Sequence, residues 1–112
     1  MGLGSNGHIG FNEPPCNLNS KCRVEKLTSS TRNDNAFAFQ DELKMVPSHA
    51  ITLGLKEILE AEEIHLIVTG RTKAKILKSL LSSSPNKNLP ASYLGLHPKV
   101  RIWVDEEALT CL

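Results

Sequence analysis

The stretch Ile64-His65-Leu66-Ile67-Val68-Thr69-Gly70-Arg71-Thr72-Lys73-Ala74-Lys75-Ile76-Leu77-Lys78-Ser79-Leu80-Leu81 changes its period halfway along. Residues 64–69 form a short, mostly apolar run rich in β-branched side chains, ended by a glycine. Such a run, apolar on both faces, suits a buried parallel strand between helices. Beyond Gly70, Ala74, Leu77 and Leu81, flanked by Ile76 and Leu80, recur at helical spacing and lay an apolar stripe along one face. That stripe is core, and no binding role is read into it. A strand, a tight turn and a helix in this order point to the α/β class.

The flanks agree. Val100-Arg101-Ile102-Trp103-Val104 reads as a last strand with Val100, Ile102 and Val104 on one face, and residues 91–97 as a short helical turn or loop. Asp105, Glu106 and Glu107 open a terminal helical turn, with acids where a helix N-terminus favours them. Upstream, Pro47 breaks the chain, and residues 50–61 look helical in their second half, with Leu55, Ile58 and Leu59 on one face. Ser29, Ser30, Thr31 and Asp34 stand in the order expected at a helix start. That helix is expected to run to about Phe39 and to bury Ala36 and Phe39. Residues 23–28 alternate weakly and suggest an edge strand. Residues 14–20 are rich in turn formers. Strands alternating with helices predict an α/β fold with a mainly parallel sheet.

With 112 residues the chain can fill one domain and bury one core. Thirteen basic against twelve acidic residues leave a net charge of +1, which gives no field for nucleic acid or for an anionic membrane. Lys21, Arg23 and Lys26 cluster but are diluted by Glu25, and read as a solvated strand face. The three cysteines include no C-x-x-C, and the four histidines are scattered, so no metal site is expected. Reduced thiols, no apolar run of membrane-spanning length and no signal-peptide pattern suggest a cytoplasmic protein.

Chemistry has two candidate places. At Thr69-Gly70-Arg71-Thr72-Lys73 a strand ends and a helix starts, so free backbone N–H groups and Lys73 together suit an anion such as phosphate. The alternative is an ordinary surface lysine. The second place is the opening loop, Gly2-Leu3-Gly4-Ser5-Asn6-Gly7-His8-Ile9-Gly10-Phe11-Asn12-Glu13-Pro14. Gly2, Gly4 and Gly7 spell a dinucleotide fingerprint, but the strand before it and the helix after it are missing. His8 is the one residue of the loop that exchanges a proton near neutral pH. Glu13 is expected to accept a bond from one ring nitrogen, fixing the tautomer and favouring the charged ring, and Asn6 to orient the pair. A histidine that merely ties down a loop is the bland alternative.

The segment Gly4-Ser5-Asn6-Gly7-His8-Ile9-Gly10-Phe11-Asn12-Glu13-Pro14 resembles the signature of the glucosamine-6-phosphate deaminase (isomerase) family. The likeness continues in order through Thr31-Arg32, Asn35-Ala36, Val46-Pro47, Ala50-Ile51-Thr52, Ala61-Glu62-Glu63, Val68-Thr69-Gly70, Lys73-Ala74, Pro90-Ala91-Ser92, Leu96-His97-Pro98 and Val104-Asp105-Glu106. The resemblance implies a Rossmann-like three-layer domain, of which residues 1–112 would be a single partial unit lacking the family's N-terminal half. It implies conversion of glucosamine 6-phosphate to fructose 6-phosphate and ammonia without a cofactor. His8 would open the sugar ring, Glu13 and Asn6 would orient and tune it, and Lys73 would bind the phosphate.

Two departures matter. The carboxylate that takes the C2 proton belongs, by the resemblance, to the half that this sequence does not contain, so the isolated chain is expected to release no ammonia. The family's phosphate-clamping arginine aligns with Phe37, and Arg32, five residues earlier on a helix, points about 140° away. Losing one charge-assisted contact weakens phosphate binding by roughly 1.5–3 kcal/mol. The readings left open are a galactosamine-6-phosphate deaminase, a 6-phosphogluconolactonase-like hydrolase and a non-catalytic sugar-phosphate-binding domain. An uncovered apolar strand such as residues 64–69 is expected to favour self-association.

Overall fold

The computed structural model describes all 112 residues. The change of period at Gly70 appears as a strand, β3 (Ile64–Val68), and a helix, α3 (Ala74–Ser82), joined by a 3-10 turn at Arg71–Lys73. Gly70 takes φ +89°, a conformation that side chains oppose, and so lets the strand turn directly into the helix. Its N–H is donated to both carboxylate oxygens of Asp105 at 3.0 Å, which ties the turn to the segment after the last strand.

That last strand, β4 (Val100–Val104), pairs parallel with β3, Ile64 opposite Val100 and Val68 opposite Val104. On the other edge of β3, the Ile67 N–H is donated to the Met1 carbonyl at 2.8 Å, and Gly2 forms a parallel bridge to Ile67. The glycine loop therefore leaves at the carboxyl end of β3, beside the turn that starts α3. In parallel sheets this end collects ligands, because strands stop there and helix amino ends begin.

The expectation of one mainly parallel sheet is corrected. A second sheet is antiparallel, made of β1 (Arg23–Lys26) and β2 (His49–Thr52), with Arg23 opposite Thr52 and Lys26 opposite His49. The edge strand at residues 23–28 is thus present, but its partner carried no apolar signal: Thr52 is the one buried residue of β2, and Ile51 is 74% exposed. Arg23 is not part of a solvated face. It turns inward, pairing with Glu25 at 2.6 Å and donating to Asn12 at 2.9 Å, whereas Lys21 and Lys26 are exposed.

Helix α1 (Ser29–Asn35) starts where its hydroxyls predict, with Thr28 as the cap accepting the Thr31 N–H at 3.2 Å. It stops at Asn35 and continues as a 3-10 turn over Ala36–Phe39, which ends at Gln40 in a left-handed conformation. Ala36 and Phe39 are half-buried, and the buried residue of the helix is Thr31. Helix α2 (Leu55–Leu59) buries Leu55 and Ile58 as its periodicity requires. In α3 the buried row is Ala74, Leu77 and Leu80; Leu81, in the last turn, is 55% exposed.

Ile9, Leu55, Leu66 and Leu77 are fully shielded at the centre of the core. Each contributes about 1.5–3 kcal/mol. Ile9 comes from the glycine loop, so hydrophobic burial fixes the loop directly beside His8. One face of the parallel pair stays open, against the expectation of burial on both faces. Ile64, Leu66 and Val68 point inward, and His65 and Ile67 outward. Trp103 stacks on His65 there, with ring centres 6.0 Å apart. No helix is long and apolar enough to cross a membrane.

Candidate active site

The loop folds on itself through glycines. The Gly4 N–H is donated to the His8 carbonyl and the Gly7 N–H to the Gly4 carbonyl, both at 2.9 Å. Gly7 needs its φ of +86° to make that turn. At Gly4 the requirement is space: a Cβ there would lie 2.0 Å from His8 Cε1. The imidazole therefore rests on bare backbone. Asn12, fully buried, closes the loop by donating to the carbonyls of Ile9 and Leu53 at 2.9 Å each.

His8 Nδ1 lies 2.7 Å from Asn6 Oδ1, 3.1 Å from Thr31 Oγ1 and 3.5 Å from Glu13 Oε1. The Thr31 hydroxyl donates to Glu13 Oε1 at 2.7 Å, so its oxygen faces the ring as an acceptor. With acceptors on every side, Nδ1 carries the proton and donates to Asn6, which leaves Nε2 unprotonated and without a protein partner. The Asn6 amide in turn donates to Glu13 at 3.2 Å and to Thr28 Oγ1 at 3.1 Å, and the Thr28 N–H is donated to Glu13 Oε2. Phe11 packs on the ring with centres 6.3 Å apart.

These contacts set the protonation states. Burial holds the His8 pKa below 6.5, outweighing the pull of Glu13 and Asp34 in the other direction. The expectation that Glu13 keeps the ring charged is thus corrected: the carboxylate is too far for a good bond, and desolvation wins. Burial would raise the Glu13 pKa, but the Thr28 N–H and the Thr31 and Asn6 donors outweigh it and lower the value below 4.5. At neutral pH the site holds a neutral imidazole beside a fixed carboxylate.

A cavity of about 450 Å³ opens here, lined among others by Gly4, His8, Phe11, Asp34, Asn35 and Lys73. Lys73, at the start of α3, reaches Asp34 of α1 with Nζ 3.5 Å from Oδ2. Asp34 also accepts the Ser5 N–H at 3.0 Å and the Ser5 hydroxyl at 2.8 Å, and its pKa is lowered because these donors and Lys73 outweigh burial. The four residues singled out by sequence are therefore all at this place: His8, Asn6 and Glu13 in one bonded cluster, and Lys73 across the cavity. Phe37 is 77% exposed and lies outside the lining. Arg32 is turned to the carbonyls of Leu43 and Val46 at 3.0 and 2.8 Å. Three participants escaped sequence reasoning. Thr28 was legible only as the end of the edge strand, and Thr31 and Asp34 only as helix-start residues.

The chain matches the family model of glucosamine-6-phosphate isomerases and 6-phosphogluconolactonases over residues 1–103. It is 46% identical over 109 residues to a glucosamine-6-phosphate deaminase of Halalkalibacterium halodurans, an alignment covering 97% of this chain and 44% of that one. A deaminase of the same name from Shouchella clausii is also 46% identical, with 96% and 43% covered. A solved structure of a monomeric glucosamine-6-phosphate deaminase superposes with a TM-score of 0.95 at 39% identity, covering 99% of this chain and 46% of that one. A 6-phosphogluconolactonase from Trypanosoma cruzi shares the fold, with a TM-score of 0.68 at 22% identity, 98% of this chain and 40% of that one being covered. The chain spans less than half the length of these relatives. With the signature loop and the matched fold both present, it belongs to the glucosamine-6-phosphate isomerase/6-phosphogluconolactonase family.

Proposed function

We propose that this chain carries the ring-opening part of a glucosamine-6-phosphate deaminase, which converts glucosamine 6-phosphate to fructose 6-phosphate and ammonia in the cytoplasm. The observation that carries this reading is the His8 ring, its Nδ1 proton committed to Asn6 and its Nε2 unpartnered at a cavity that also holds Lys73. Nε2 takes the proton of the anomeric hydroxyl, the bond from C1 to the ring oxygen breaks, and the imidazolium returns that proton to the ring oxygen. Asn6 and Glu13 steady the transient cation from the Nδ1 side, which is what a general acid–base near neutral pH requires. Lys73 holds the phosphate of the same substrate.

The next step, removal of the proton at C2, needs a carboxylate base. Glu13 is unsuited to it, because its oxygens are already taken by Thr28, Thr31 and Asn6. We assign that base to the part of the relatives' length beyond residues 1–112, together with the rest of a Rossmann-like three-layer sheet. Magnetisation-exchange NMR on glucosamine 6-phosphate tests the division. The chain should speed exchange between the α and β anomers, His8→Asn should lose the effect, and neither should release ammonia. Ammonia turnover by the pure chain would refute the division, and anomer exchange unaffected by His8→Asn would refute the role of the ring. Hydrolysis of 6-phosphogluconolactone, measured alongside, separates this reading from the lactonase branch.

A further inference from the structure

The charged side chains lining the cavity are Lys73 and Asp34, and they neutralise each other. No Arg or further Lys side chain joins the lining. Arg32 is committed to two backbone carbonyls, and position 37 is phenylalanine. Asp34 does not depend on Lys73 for its place. Ser5, in the glycine loop, holds it with both its N–H and its hydroxyl, and Ser30 Oγ lies 2.8 Å from Ser5 Oγ. A ligand that draws Lys73 away therefore meets a carboxylate that stays behind.

We propose that Asp34 is a specificity-determining residue that competes with anionic ligands for the Lys73 ammonium and sets the charge selectivity of the cavity. The proposal rests on the reading of Lys73 as the phosphate ligand. A doubly charged phosphate must break the pair and then sit near the fixed carboxylate, so its affinity is lowered by both effects. The penalty rises with the charge on the ligand, and an uncharged hydroxyl or a single negative charge meets less of it. The fold gives the pair a structural function as well, since Asp34 bridges the glycine loop, α1 and the start of α3.

Titration of the whole chain with glucosamine 6-phosphate, inorganic phosphate and glucose, followed by calorimetry and by the amide shifts of the loop, tests this. Asp34→Asn keeps the shape and removes the charge. It should tighten both phosphate ligands on the order of ten- to a hundredfold and leave the uncharged glucose unchanged. Adding Lys73→Met to Asp34→Asn should abolish the gain. Equal or weaker phosphate binding by Asp34→Asn, with the wild type still binding through Lys73, overturns the competition and leaves the deaminase reading intact. Failure of every variant to bind either phosphate overturns both. A carboxyl-carbon titration needs no ligand: Lys73→Met should raise the Asp34 pKa, and an unmoved value refutes the pairing.

Discussion

Thr31→Val is the sharpest probe of how the site is held. Thr31 is fully buried, and its hydroxyl donates to Glu13 at 2.7 Å while accepting from Thr28 Oγ1 at 3.1 Å. Valine has nearly the same shape, so the change opens no cavity and removes only the hydroxyl. A hydrogen bond to a charged group contributes about 1.5–3 kcal/mol. Asn6 still donates to the same carboxylate oxygen, which places the expected loss near 2 kcal/mol. For a domain of about this size that lowers Tm by roughly 10 °C. The pH dependence carries the diagnosis. The folded-state pKa of Glu13 lies below 4.5, so its stabilising contribution is complete above that value and is lost as pH falls through the folded pKa. Thr31→Val removes part of that contribution. The gap between variant and wild type should be full at pH 7 and should narrow below pH 4.5. Urea unfolding at a series of pH values measures it. A gap that is the same at pH 7 and below pH 4 would show that Thr31 matters for packing and not for the carboxylate, and the account of the cluster would fail.

Gly4→Ala forces its methyl into the His8 ring, so the ring must leave Asn6; a loss of roughly 1–3 kcal/mol and an altered His8 imidazole spectrum by nitrogen NMR are expected, and an unmoved spectrum counts against the packing described. The His8 pKa is depressed below 6.5, so its share of stability is present above pH 6.5 and is lost as pH falls through the folded value. His8→Gln should therefore flatten the stability profile within that window, from pH 6.5 down to the folded value, as read by denaturation at stepped pH. On the open sheet face, Ile67 is 55% exposed, and Ile67→Glu should change stability by less than about 0.5 kcal/mol while reducing concentration-dependent association. Sedimentation that is identical for variant and wild type would show that this face does not mediate contact between copies.

What the sequence made legible follows burial. Residues 64–68 and 74–80 carry enough apolar side chains for their period to show, and β3, α3 and their connection appear where that period puts them. Residues 49–52 do not: four residues with one buried side chain give no pattern, and β2 is fixed by its ladder to β1. The single helix expected to Phe39 breaks at Asn35, where the side chain donates to the Thr31 carbonyl at 2.8 Å and the next turn tightens. In the site, His8, Asn6 and Glu13 could be grouped because they lie within eight residues of one another. Thr31 and Asp34 arrive from a helix at least 18 residues further along the chain, and no local spacing announces such a meeting. The pKa direction of His8 was missed for the same reason, since burial is a property of the assembled core.

The open face holds one more resource. Trp103 is the chain's single tryptophan, 54% exposed, and its indole N–H is donated to His65 Nδ1 at 2.9 Å. Any polypeptide layer placed over β3 and β4 would take that indole out of water and move its fluorescence to shorter wavelength. Binding of a second polypeptide to this face could thus be followed by emission alone, with no dye and no catalytic assay. The chain carries its own optical gauge of assembly.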